Sequence, residues 1–336
     1  MNTHNFYAGP AILPKQVFLK SADAVLNFNN SGLSILEISH RSKGFVDVME
    51  KTNAMIKELL SIPDGYEVLF LTGGASSQFY MASMNLLNDD DRAAFVDTGT
   101  WSTKAIKEAV HFGQIDVIAS SKDSGYTSIP SIDTATKDYK FVHITTNNTI
   151  FGTQFDTMPT VDAPLIGDMS SDIFSRPIDI SKFDLIYAGA QKNLGPAGVT
   201  LVIVKKDVLG RVTRKIPTML DYNTHISKGS SFNTPPVFPI YVSMLSLEWL
   251  KENGGVLAAE KRNNEKASLL YKAIDDNPLF FTPVHGDDRS KMNVVFKLHD
   301  NNYEAAFLEA AEAAQCVGVK GHRSVGGFRA SIYNAM

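Results

Sequence analysis

Six short apolar runs, each giving way to Gly, Ala, Ser, Thr or Asp, most constrain how this 336-residue chain folds. They span 67–71, 93–96, 115–119, 140–145, 163–167 and 184–188, and segments of helical or loop texture separate them. Their apolar residues are continuous rather than alternating, as in strands buried on both faces. The strand-then-helix alternation points to an α/β fold with a mostly parallel sheet covered by helices on both faces. A further run at 199–204 follows 184–188 after only a short Gly-Pro loop. A right-handed crossover does not fit in that loop, so an antiparallel neighbour is expected there. After about Ile240 the texture changes: 241–252 and 256–275 read as long amphipathic helices, 293–298 as a strand and 303–314 as a helix. That pattern predicts a second, smaller α+β unit.

Ligands of open α/β sheets bind at the carboxyl ends of the strands, and that is where the chemically suggestive residues fall. Lys192 lies just past the run at 184–188, in a stretch rich in Gly and Ala. A lysine held there loses water, which disfavours its ammonium form and leaves an amine able to attack a carbonyl and form a Schiff base. The chemistry indicated is that of pyridoxal phosphate, although most lysines in such turns are surface residues. Asp168 closes the run at 163–167 and stands 24 positions earlier. A buried carboxylate there would keep a pyridine nitrogen protonated, the condition for an electron sink. As a helix cap or loop acid the aspartate would need no such role. The pair, each member at a strand end, is harder to obtain by accident.

Three more strand ends contribute. Gly73-Gly74-Ala75-Ser76-Ser77-Gln78 joins the run at 67–71 to a helical stretch. It reads as a phosphate cradle, in which glycines let the backbone approach and helix-start amides point at the anion. It matches neither GxGxxG nor the P-loop, so a dinucleotide is disfavoured; an ordinary turn with a Ser cap is the plain alternative. Trp101, following the run at 93–96, offers a flat ring to stack on a flat cofactor, or simply a helix-start residue packed on the core. Thr149, after the run at 140–145, offers a hydroxyl to the cofactor's phenolic oxygen.

Composition narrows the classes. With 44% hydrophobic and 20% charged residues the chain can bury a large core, and its length fits two domains. A net charge of -4 provides no basic field for nucleic acid or an anionic membrane. No apolar run reaches about 18 residues, so neither nucleic acid nor a membrane is expected as a partner. The single cysteine, Cys316, excludes an intrachain disulfide and any CxxC metal site, leaves metal ligation without a candidate and suits a reducing, cytoplasmic setting. It falls in the tail of the 303–314 helix, where a small buried residue is expected.

Larger blocks carry a resemblance. Phe6-Tyr-Ala-Gly-Pro10-Ala-Ile-Leu-Pro14, Ile38-Ser-His40-Arg41-Ser, Gly73-Gly-Ala-Ser76, Trp101-Ser and Gly321-His322-Arg323-Ser-Val-Gly-Gly-Phe-Arg329-Ala-Ser-Ile-Tyr-Asn-Ala335 together resemble the phosphoserine aminotransferases of the fold-type I pyridoxal phosphate enzymes, over nearly the whole chain. The first and last blocks are specific to that family. The resemblance implies that Lys192 carries the cofactor and shuttles a proton, that Asp168 holds the pyridine nitrogen, and that Trp101 stacks on the ring. It implies that Thr149 meets the phenolic oxygen, and that Ala75, Ser76 and Gln191 hold the phosphate. Asn233 and Thr234 of a partner subunit complete that site, making a homodimer with shared active sites. The division expected is a large cofactor-binding domain at 16–250 and a small domain made of 1–15 and 251–336. Relatives usually continue beyond Met336 with a proline and a final helix, so a truncated, incompletely ordered or shortened chain is expected.

Charge argues for the substrates separately. Phosphoserine and glutamate are at least dianionic, and a pocket for both needs several cations, best supplied as bidentate arginines. His40-Arg41 and His322-Arg323 with Arg329 form that set, although each alone is an ordinary surface charge. By the resemblance Arg329 grips the α-carboxylate and the other four receive the distal phosphate or carboxylate, some across a dimer interface. The reaction expected is reversible transamination between glutamate and 3-phosphohydroxypyruvate in serine biosynthesis; use of 4-phosphohydroxythreonine toward pyridoxine is left open. Alanine- or serine-glyoxylate transamination, cysteine desulfuration and a non-catalytic pyridoxal-binding protein are the rivals. The first needs fewer cations, the second a nucleophilic thiol, and the third would not need the lysine–aspartate pair.

Overall fold

The computed structural model describes residues 3–132 and 136–336. In chain order its strands are β1 (His4–Asn5), β2 (Tyr66–Leu71), β3 (Arg92–Asp97), β4 (Gln114–Ser120), β5 (Val142–Thr145), β6 (Leu165–Asp168), β7 (Leu185–Gly189), β8 (Thr200–Lys205), β9 (Phe280–Phe281), β10 (Asn293–Leu298), β11 (Cys316–Val317) and β12 (Phe328–Ser331). The α-helices are α1 (Lys15–Asn27), α2 (Lys43–Leu59), α3 (Gly74–Leu86), α4 (Thr100–Ala109), α5 (Tyr222–Ser227), α6 (Val237–Glu252), α7 (Gly255–Asp275) and α8 (Glu304–Ala313).

The seven-stranded sheet has the order β2-β8-β7-β6-β5-β3-β4. Strand β8 runs antiparallel to β7 and β2, and the β3–β4, β3–β5, β5–β6 and β6–β7 pairs are parallel. The tight Gly-Pro connection from β7 to β8 therefore reverses the chain, as its length demands. β2, antiparallel to an antiparallel strand, points the same way as β7.

Successive residues of these strands enter two separate cores. Val68, Phe70, Ala94, Val96, Ile186 and Ala188 join the cluster that includes α1, α2 and α6, while Leu69, Leu71, Ala93, Phe95, Leu185 and Tyr187 join the cluster of α3 and α4. Both faces being covered is the reason the strands read as unbroken apolar runs. Gly167 lets the Phe183 ring pack against β6, since a Cβ there would come within 3.0 Å of that ring. Pairing with β5 and β7 sets Asp168 at the strand's end, two residues beyond Ile166 and on the same face as α3 and α4.

α6 departs from the amphipathic expectation. Ile240 to Leu247 are buried without interruption, so the helix is a core element packed on α1, α2 and α7 rather than a surface helix. α7 does have one buried face, Ala259, Asn263, Ala267, Tyr271 and Ile274. That face backs the antiparallel sheet β12-β10-β9, where Phe280, Phe296, Phe307 and Phe328 pack with ring centroids 4.3 to 6.5 Å apart. Strand β1 pairs in parallel with β11. Cys316 lies in β11 and is half-buried, not in a helix tail and not fully buried as expected. Among the described residues no helix is long and apolar enough to cross a membrane.

Candidate active site

The shared direction of β2, β3, β5, β6 and β7 brings their carboxyl ends to one edge. β2 leads through Thr72 and Gly73 into α3, β3 leads into α4, and β6 ends on Asp168 beside β7, three residues after which comes Lys192. Lys192 is 8% exposed and Asp168 4%, so both the amine and the carboxylate have left bulk water. The Lys192 ammonium donates to Thr149 Oγ1 at 2.8 Å and lies 5.7 Å from the centre of the Trp101 ring. Burial pushes it down to about 8; the Asp168 charge opposes that shift and the Arg329 guanidinium adds to it. Burial pushes the Asp168 carboxyl up, while hydrogen bonds from Ser170 and the charge of Lys192 pull it back. Near pH 7 roughly a tenth of Lys192 is thus the free, nucleophilic amine, against well under a thousandth for an ordinary lysine.

The loop carrying Lys192 is clamped from both sides. Ala11 N–H donates to the Gln191 carbonyl at 2.9 Å, and a Cβ at Gly9 would sit 3.4 Å from Lys192 Cγ, so the 6–14 block crosses directly over this loop. The Gln191 side chain packs on Gly189, where a Cβ would come within 2.6 Å of its Oε1. From the far end of the chain, Asn334 N–H donates to Asn193 Oδ1 at 3.0 Å.

At the start of α3 the N-cap is Gly73, at φ 92°, and no side chain caps the helix. A Cβ at Gly73 would fall 1.9 Å from Ser77 Oγ, so only glycine makes this turn. Ala75 and exposed Ser76 occupy the uncapped first turn, where backbone N–H groups are left for an anion. The expected alternative, a Ser cap, is absent. Trp101 sits in the first turn of α4, and its Nε1 is buried with no partner among the described residues. Asp97 holds that turn by accepting from Ser102 Oγ, Thr103 Oγ1 and Tyr126 Oη, each at 3.0 Å.

The second sheet reaches the same place. Arg329 on β12 donates from Nη1 to the Thr149 carbonyl at 3.1 Å, and its Nε is buried without a partner among the described residues. Arg329, His322 and Arg323 line an open cleft of about 690 Å³ together with Tyr7, Gly318 and Lys320. Burial holds His322 below its usual value, and the Arg329, Arg323 and Lys104 charges act in the same direction.

Four predicted residues lie outside this cluster in the single chain. His40 lines a separate cavity of about 260 Å³ with Glu50, Ile226 and Ser230, and Arg41 beside it is exposed. Asn233 is exposed at a cavity of about 170 Å³ shared with Gly73 and Ser77, next to the α3 start, and Thr234 is exposed.

A family profile described as Aminotransferase class-V matches residues 3–336. The phosphoserine aminotransferase of Flavobacterium psychrophilum is 57% identical over 100% of this chain and 95% of its own length. The solved phosphoserine aminotransferase of Bacillus circulans subsp. alkalophilus superposes with a TM-score of 0.96 at 46% identity, covering 99% of this chain and 94% of that one. The chain belongs to the phosphoserine aminotransferases of class V. A pyridoxal phosphate-bound phosphoserine aminotransferase from Trichomonas vaginalis matches with a TM-score of 0.93 at 35% identity, over 99% of this chain and 96% of that one.

This aminotransferase is a pyridoxal phosphate-dependent transaminase. Its residues fit that cofactor on their own terms: a buried amine of lowered basicity, a buried carboxylate at the neighbouring strand end, an indole beside the amine, and a helix start that no side chain caps. Reading the sequence passed over Ser170, Asp97, Gly9 and Asn193. Gly9 lay within the 6–14 block and was given no role of its own. The others are small polar residues whose use depends on neighbours distant in sequence.

Proposed function

We propose that this chain catalyses reversible amino transfer between glutamate and 3-phosphohydroxypyruvate, giving 2-oxoglutarate and 3-phosphoserine. The observation that carries the substrate choice is a pair of guanidiniums without ion-pair partners among the described residues: Arg323 and Arg329 line one cleft with Lys320 and His322, whose lowered pKa leaves it a neutral hydrogen-bonding group near pH 7, and with Glu312 as the cleft's carboxylate. Among the described residues none of these basic side chains, nor His40 or Arg41, has a carboxylate in ion-pair range. A keto acid without a distal charge, such as glyoxylate or pyruvate, offers its α-carboxylate to Arg329 and leaves Arg323 with nothing to bind.

Bound pyridoxal phosphate supplies an electron sink for the bond-breaking at the substrate α-carbon. Lys192 attaches it and, as the amine with a lowered pKa, carries the proton at that carbon. Asp168 keeps the pyridine nitrogen charged, and Trp101 covers the ring. Thr149, hydrogen-bonded to Lys192 Nζ, meets the phenolic oxygen in this reading. Ala75, Ser76 and Gln191 take the phosphate. Arg329, held by the Thr149 carbonyl, receives the α-carboxylate, and His322 and Arg323 the distal anionic group.

His40, Arg41, Asn233 and Thr234 make sense in a homodimer, where a partner's copies complete the phosphate and distal-anion sites; the exposure of Arg41, Asn233 and Thr234 in the single chain and the Nε2 of half-buried His40, unpartnered among the described residues, support this reading. The working division is a large domain at 16–250 and a small one at 1–15 with 251–336, and the setting is cytoplasmic, in serine biosynthesis. The test is acceptor choice with glutamate as donor. The kcat/KM for 3-phosphohydroxypyruvate should exceed those for glyoxylate and pyruvate by at least about 10²-fold, the scale of one or two hydrogen bonds to a charged group. Equal values, or a preference for glyoxylate, would replace this substrate assignment.

A further inference from the structure

The Asp168 carboxylate is held from one side only. Ser170 donates its backbone N–H to Asp168 Oδ1 at 3.0 Å and its hydroxyl to the same oxygen at 2.6 Å. The hydroxyl oxygen in turn accepts the N–H of Gly189, the last residue of β7, at 3.2 Å. Accepting from Gly189 and donating to Asp168, this buried hydroxyl has its proton fixed in direction. It forms a strut between the end of β6, which carries the acid, and the end of β7, three residues before Lys192. Asp168 Oδ2 receives no side-chain or backbone donor among the described residues, so it is the oxygen left to face the ring nitrogen.

We propose that Ser170 is a positioning residue for the transamination: it orients the Asp168 carboxylate, keeps it ionised in a buried site, and sets the spacing between the acid and Lys192. The physical reason is a competition. Burial alone favours the protonated acid, which cannot hold a pyridinium. Two hydrogen bonds converging on one oxygen favour the ionised form and leave the other oxygen unspent. A buried hydroxyl also costs stability unless it is bonded, and this one is bonded in both of its roles. The inference rests on the proposed pairing of Asp168 with the ring nitrogen.

The experiment is a double-mutant cycle in cofactor affinity: apoprotein of wild type, Ser170→Ala, Asp168→Ala and the double variant titrated with pyridoxal phosphate across pH, each first checked by thermal melting. Ser170→Ala should weaken binding about 10- to 100-fold when Asp168 is present, the range for losing a hydrogen bond to a charged group. In the Asp168→Ala background the loss should shrink below about threefold. The acid limb of the affinity profile should also move up by about one pH unit, which a purely structural role would not do. If Ser170→Ala does not fold, Ser170→Cys, close in size and a weak donor, carries the same test. Equal losses in both backgrounds, or none in wild type, overturn the proposal. If Asp168→Ala alone leaves affinity intact, the reading of Asp168 itself fails, and that result is separate from any failure of Ser170.

Discussion

The strand-end edge of the seven-stranded sheet and the cleft beside the three-stranded sheet use charge in opposite ways. At the first, Lys192 and Asp168 are buried, hydrogen-bonded within the chain and shifted in basicity by the loss of water. At the second, Arg323 is exposed, His322 and Arg329 are half-buried, and among the described residues none of the three has a carboxylate within ion-pair range, Glu312 being elsewhere on the cleft wall. Chemistry at an α-carbon needs groups whose protonation is poised near working pH, which burial provides. Binding a dianion needs fixed charge that stays charged, which guanidiniums provide, exposed at Arg323 and half-buried at Arg329. Removing a group from the first region should damage the chemical step; removing one from the second should damage affinity for charged substrates.

The largest effect expected is from Lys192→Ala. Losing the proton carrier alone removes about 10²–10⁴-fold from the half-reaction with glutamate, followed by absorbance in stopped flow. A variant reacting at the wild-type rate would erase the distinction between the regions. Next comes Asp168→Asn, which keeps the shape and removes the charge. The half-reaction should slow roughly 10²-fold, the scale of deleting one preorganised electrostatic contact, with pyridoxal phosphate still bound through its phosphate.

Arg323→Ala and Arg41→Ala sharpen the other side of the comparison. Each should cut kcat/KM for 3-phosphohydroxypyruvate about 10- to 100-fold and that for a keto acid without a distal charge, such as pyruvate, by less than about threefold, as steady-state kinetics with both acceptors will show. The Arg41 result doubles as a test of the dimer, because in the single chain that side chain lies apart from the cleft.

The smallest effect is on stability. Lys192 has a folded-state pKa of about 8 against an ordinary 10.5, so between those values the unfolded chain binds more protons than the folded one. Apoprotein stability contributed by this group therefore rises as pH goes from about 8 toward 10.5, and below about 8 the cost of burying the ammonium is constant. Melting temperatures across that window should climb less in Lys192→Met. Part of the rise will remain, because Lys266, pushed down to about 8 by burial, has the same sign.

The contrast also explains what the sequence disclosed. Apolar strands advertise themselves: each of the apolar runs is a strand, including the edge strand β4, which has no fully buried residue, and the Gly-Pro loop after β7 announced a reversal. The residues at strand ends were legible because the run before each fixes where it falls, as with Asp168 after 163–167. Helix α6 was misread as amphipathic because nine of its residues are buried in the packed core, a fact set by α1, α2 and α7 rather than by local period. Ser170 and Asp97 were invisible for a similar reason. A serine hydroxyl has meaning only once Gly189 and Asp168 are brought beside it, and an aspartate only once Ser102, Thr103 and Tyr126 converge on it.

The account turns on Lys192 being the amine that bonds the cofactor. Reducing the cofactor-loaded enzyme with borohydride and mapping the pyridoxyl group by peptide mass spectrometry reads that directly. The adduct should appear on the peptide containing Lys192 and be absent from Lys192→Ala. An adduct on another lysine, such as Lys104 or Lys266, would contradict it.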